Sequence, residues 1–170
     1  MGRAGRFEAM AIYPVVFTYE ELVKGHGFLA GVLARGRALM VHEDDEWWMY
    51  GVQPGGLSEG GETFDEARLL FRQAFREVLF DLAEQTTDFD TFKSQTIRLL
   101  EEESGPMLAR WNEAVQKLRA SQIEVEEPLK DLQKVPAQDT PAVFHVELIQ
   151  PNTIIVPDNK VDQFSLAHVA

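Results

Sequence analysis

Apolar and polar residues alternate along this chain with two different periods, and the change of period sets the expected elements. Between Thr63 and Gln85 the apolar residues Ala67, Leu70, Phe71, Ala74, Val78, Leu79 and Leu82 recur at spacings of three and four. That spacing places them on one face of a 3.6-residue helix. Phe75 and Phe80 widen the face, so the helix is expected to pack on a sheet and to touch a second element. Thr63 is a natural N-cap, and Glu66 completes a capping box in which each side chain satisfies a backbone N–H at the helix start. Asp65 adds negative charge at the positive end of the helix dipole. Ahead of this helix lie two apolar runs, Ala38–Val41 and Trp47–Val52, which suit a pleated, half-buried surface. The acidic residues Glu43–Glu46 between them read as a hairpin loop, longer than a tight Asn-Gly connection. Pro54, Gly55 and Gly56 end the second strand, and Leu57–Glu62 forms a short third one.

The flanking segments carry weaker patterns. Met10–Phe17 reads as a strand that Pro14 confines to an edge or makes irregular. Thr18-Tyr19-Glu20-Glu21 has the form of another capping box, opening a short helix that Gly25 ends. Phe28–Leu33 is apolar and is expected to pair with Arg37–Val41 through a turn at Ala34-Arg35-Gly36. After the long helix, Asp88 or Asp90 caps a second helix reaching about Glu103, and Ser104 with Pro106 opens a third that runs to about Ser121. These two are expected to form a helical hairpin inserted at about 88–121. The acidic, proline-dotted stretch Ile123–Pro141 reads as a surface linker. Val143–Ile149 alternates, with Phe144, Val146 and Leu148 on one face, and reads as a half-buried strand; Thr153–Val156 is a further short one. Residues 1–9 read as a disordered start, 10–157 as a single α+β domain, and 158–170 as a tail that docks on another subunit.

The stretch Arg37–Gln85 resembles the HicB-like antitoxin family. The residues that carry the likeness are the acidic hairpin His42-Glu43-Asp44-Asp45-Glu46, the aromatic strand after it, and the run from Gly55 through Thr63 to Ala67. It spans about fifty of 170 residues. The resemblance implies a degenerate ribonuclease-H-like fold, an antiparallel sheet packed by one long helix. It also implies a non-enzymatic protein that binds and masks a small basic RNA-cleaving toxin. Many members carry a DNA-binding segment after the domain. Here the C-terminus shows neither a helix-turn-helix pattern nor a basic strand suited to a ribbon-type reader. The inserted helices are the largest departure from the family pattern.

Charge sharpens this picture. The chain has a formal net charge of −12, which repels phosphate backbones and disfavours direct nucleic-acid binding. The same charge suits a basic protein partner and would steer its approach. There are no cysteines, which excludes disulfides and zinc–thiolate sites and fits a reducing compartment. No apolar run approaches the roughly 18 residues of a membrane span, and the first residues lack a signal-peptide pattern. A cytoplasmic protein is the expectation.

No catalytic constellation and no cofactor emerge from the residues. His26, His42, His145 and His168 lack metal-ligand spacing, and the paired glycines lack the lysine of a phosphate loop. Four consecutive acids in a hairpin point in different directions, so Glu43–Glu46 reads as a solvated turn rather than a magnesium site. Trp48 and Tyr50 must face away from Trp47 and Met49. Either they form an exposed interface or the inserted helices cover that face. Arg68, Arg72 and Arg76 form a positive stripe, read mainly as pairing with Asp65, Glu77 or Glu84 on the same helix. The expected partner-binding residues are therefore Glu43, Asp44, Asp45, Trp48 and Tyr50. Two alternatives remain: a stand-alone, self-assembling HicB-like protein, and a metal-dependent nuclease acting through Asp44 or Asp45.

Overall fold

Two long strands build the centre of the molecule. The computed structural model describes residues 10–136, 142–150 and 162–168. Strand β1 (Ala11–Lys24) and strand β2 (Leu29–Glu43) pair antiparallel along their whole length, from Ala11↔His42 to Lys24↔Leu29. The short helix expected at Thr18–Gly25 is thus strand. The period-2 set Tyr13, Val15, Phe17, Tyr19 and Val23 is buried on one face, and that burial overrides the local capping-box signal. The expected turn at Ala34-Arg35-Gly36 is likewise the middle of β2. Gly36 is there for close packing: a Cβ would lie 2.4 Å from the Phe17 ring and 2.5 Å from the Gln53 carbonyl oxygen. Pro14 lies just past the last residue of β1 that pairs with the C-terminal segment of the sheet, Val15↔Leu166.

Strands β3 (Glu46–Gln53) and β4 (Gly55–Gly61) follow beside the C-terminal half of β2. Strand β6 (Val143–Leu148) pairs with its N-terminal half, from Ala30↔Leu148 to Arg35↔Val143. On the other side of β1 stand β7 (Asp162–His168) and then β5 (Gln133–Pro136), giving the order β4-β3-β2-β1-β7-β5 with β6 off that path. Among the described residues the fold is α+β, a mixed sheet of 7 strands with 3 α-helices. It is not wholly antiparallel, because β5 and β7 run parallel. Part of the expected tail is therefore a sheet strand of its own chain: Phe164 and Leu166 bury in the core. Part of the expected linker is also structured, with Leu129 fully buried. Residues 1–9, the proposed strand Thr153–Val156 and the domain end at 157 lie outside the described residues.

Helix α1 (Phe64–Gln85) covers the first face of the sheet with Phe64, Ala67, Phe71, Phe75, Leu79 and Ala83. The Thr63 hydroxyl accepts from the Glu66 N–H at 3.1 Å, and the Glu66 carboxylate accepts from the Glu62 N–H at 2.8 Å. Phe80 does not widen the buried face; it is exposed, as is Leu69. The arginine stripe also departs from expectation. Arg72 and Arg76 reach β1, where both bond the buried Glu21 carboxylate at 3.1 Å. Arg68 lies over the Phe164 ring.

Helices α2 (Phe89–Glu101) and α3 (Gly105–Arg119) are present, but they do not form a packed hairpin. Phe92 and Leu100 of α2 join the first-face core, beside Phe71 and Val146. Trp111 of α3, with Met107, Leu108 and Val115, packs on Val16, Leu39, Val41 and Val52 of the second face. The link between the helices therefore crosses the sheet edge, at the β3–β4 turn. Gly55 N–H donates to the Glu102 carbonyl at 2.8 Å, and Ser104 N–H donates to the Val52 carbonyl at 2.9 Å. Arg37 fastens the crossing, donating to Gln53 and to Glu103, each at 2.9 Å. The acidic run that a helix C-terminus disfavours is held here by a cation and by the sheet edge. Among the described residues no helix is long and apolar enough to cross a membrane.

Candidate partner-binding surface

The β2–β3 connection is tighter than its four acidic residues suggest. Glu43 pairs with Glu46, leaving a two-residue loop, Asp44-Asp45. Both loop residues have positive φ, 52° and 62°. That is the backbone of a type I′ turn, whose twist matches the strands it joins. Asp tolerates this left-handed region better than most residues, but less well than glycine. Two carboxylates stand directly opposite one another at Glu43↔Glu46, and two more cap the loop. Like charges so placed repel. Among the described residues none of the four has a hydrogen bond or an ion pair that would offset this.

Strand alternation decides what accompanies them. Trp47 and Met49 turn to the first face and bury against Phe64 and the α1 side. Glu46, Trp48 and Tyr50 share the second face, with Glu43, the cross-strand partner of Glu46. The Trp48 and Tyr50 rings stack at 6.2 Å and 20°. Tyr50 is half-buried against the α3 cluster, whereas Trp48 lies beyond it and keeps 36% of its surface exposed. Its ring lies flat on Gly60, where a Cβ would come within 2.7 Å. Both expectations for the second face are thus partly met: α3 covers Leu39 and the inner side of Tyr50, and Trp48 stays outside.

The five expected residues accordingly form one strip, two carboxylate positions at the tip, Glu43 beside them, then Trp48 and Tyr50 inward. Glu46 belongs to the strip too. Counting by two back from Trp48 was enough to find it. His42 does not. It turns to the first face, stacks on Trp47 at 4.1 Å, and its Nδ1 bonds the Glu126 carboxylate. Nearby, the Tyr13 hydroxyl donates to the Glu124 carbonyl at 3.2 Å. Burial, with the Glu126 charge adding to it, pushes the Tyr13 phenol up to about 12. These contacts pin the segment after α3 where it wraps the start of β1. A cleft of about 640 Å³ lies between that segment and α3, lined by Ile12, Tyr13, Arg110, Glu113, Lys117 and Glu124. Its charges are mixed, and Lys117 already pairs with Glu113 at 3.1 Å. Among the described residues no three histidine or carboxylate side chains gather as a metal site.

Searches with the chain match no family model, no curated protein and no solved structure.

Proposed function

We propose that this chain is a non-enzymatic protein-binding module whose contact surface is the strip Glu43, Asp44, Asp45, Glu46, Trp48 and Tyr50. The observation that supports it is a tip that the fold does not need in this form. Four carboxylates without partners among the described residues crowd a left-handed turn, next to an exposed tryptophan. A basic partner relieves that repulsion on binding. Its lysines or arginines would meet the carboxylates, and one of them would sit over the Trp48 face as a cation–π pair. Binding of this kind works by surface complementarity alone and uses no cofactor. The likeness of Arg37–Gln85 to HicB-like antitoxins makes a small basic toxin the first partner to test, with the chain acting in the cytoplasm as an acidic mask.

The test is affinity capture of the tagged chain from its own cell lysate at low salt, read by mass spectrometry. The proposal expects one small basic protein, released as salt rises and absent when Trp48→Ala is used as bait. Recovery of the same proteins by Trp48→Ala, or recovery insensitive to salt, would place the contact elsewhere.

A further inference from the structure

A different surface carries a second interaction. Strand β6 pairs on one side with β2, and among the described residues no strand occupies its other side. Alternate N–H and C=O groups of a strand point to each side, so half of the β6 backbone faces away from β2, with no ladder partner among the described residues. The exposed residues of this strand are also unusual for an edge. Val143 and Leu148 keep 43% and 41% of their surface exposed, and no proline or lysine blunts the segment Val143–Leu148. An edge of this kind is a template for another strand.

The sequence of β6 reads as complementary to itself. Place a second β6 antiparallel beside the first, with Val146 opposite Val146. His145 then stands opposite Glu147 of the other copy, and Glu147 opposite its His145. Phe144 stands opposite Leu148, and Val143 opposite Ile149. Directly opposite residues share a face, so each imidazole meets a carboxylate that can accept its N–H and each apolar side chain meets another. His145 and Glu147 are both on the solvent side of the strand, 62% and 60% exposed, and already lie 3.5 Å apart within one chain. No other antiparallel register within β6 sets each His145 against a Glu147.

We infer that β6 is an isologous pairing edge, through which two copies of this chain form a two-fold dimer with a sheet continuous across the axis. The occupant is a second copy because the side-chain pattern selects it: a partner needs an imidazole and a carboxylate at positions i and i+2, reversed in direction, with apolar residues flanking them, and β6 itself supplies them. The dimer leaves the acidic strip free. Val32, opposite Val146, and Glu43 are separated by eleven positions along β2, or roughly 35 Å at the rise of a strand. The two tips would project at opposite ends, giving a bivalent mask.

The experiment is sedimentation equilibrium on the full chain over a wide concentration range, with His145→Glu and with His145→Glu/Glu147→Lys. Both positions are exposed, and matching circular dichroism spectra will confirm that the variants fold. The wild type is expected as dimer. His145→Glu sets two acid pairs across the axis and should weaken the dimer about tenfold or more. The double variant re-creates opposite charges in reverse and should recover the dimer. A wild type that is monomeric at every concentration overturns the inference. So does a dimer that His145→Glu leaves unchanged, or one that the double variant fails to restore. None of these outcomes bears on the acidic strip.

Discussion

Replacing Asp44-Asp45 by Asn-Gly should make the protein more stable, although it removes two of the charges proposed to bind a partner. Both residues sit at positive φ. A non-glycine residue there costs on the order of 1 kcal/mol, and Asn-Gly is the pair best suited to a type I′ loop. The change also reduces four crowded carboxylates to two, while Glu43↔Glu46 remains. Relief of backbone strain and of repulsion together gives about 1–2 kcal/mol. Urea unfolding followed by tryptophan fluorescence reads this directly. With a slope of about 2 kcal/mol/M, the midpoint should rise by roughly 0.5–1 M while the slope itself stays constant. An unchanged or lower midpoint would refute the reasoning. It would mean that the aspartates hold the turn through contacts of their own, and that their charge serves the fold rather than a partner.

Other changes test the frame that presents the tip. Glu21→Gln should destabilise by about 2–3 kcal/mol in the same urea assay, because it removes the buried carboxylate that Arg72 and Arg76 share. The loss stays below that of a fully buried pair, since Arg76 retains access to solvent. A loss under half a kcal/mol would show that the two arginines find other acids. Tyr13, held neutral up to about pH 12 against an ordinary value of 10.0, supports the fold fully below pH 10, and its contribution fades as pH rises through 12. Tyr13→Phe should therefore flatten the fall in stability between those pH values, as followed by urea midpoints across that range.

Local signals identified the helices well. The capping residues Thr63, Asp88 and Ser104 all accept from backbone N–H groups at their helix starts, and the Thr91 N–H holds the Asp88 carboxyl below its ordinary range. Such caps act over three residues and are visible in the sequence. The long strands were less legible. Thr18-Tyr19-Glu20-Glu21 satisfies the capping-box pattern, yet Tyr19 is buried against Phe17 and Phe75, and only pairing with β2 makes that burial possible. Gly36 resembles a turn residue because the ring that packs on it, Phe17, is distant in sequence. The parallel pair β5–β7 joins segments some thirty residues apart, and no local pattern encodes it. In the candidate strip, period 2 placed Trp48 and Tyr50 on one face correctly. What covers that face depended on the chain crossing the sheet edge at Gly55, a tertiary contact of Glu102 and Ser104.

The most direct test of the central claim compares partner capture by the wild type and by the Asp44→Asn/Asp45→Gly variant, side by side at low salt. The variant is expected to be the more stable protein, so a lost partner cannot be blamed on unfolding. The account predicts that a small basic protein is recovered with the wild type and strongly depleted with the variant. Equal recovery from the two would contradict it and would remove the acidic tip from the binding surface.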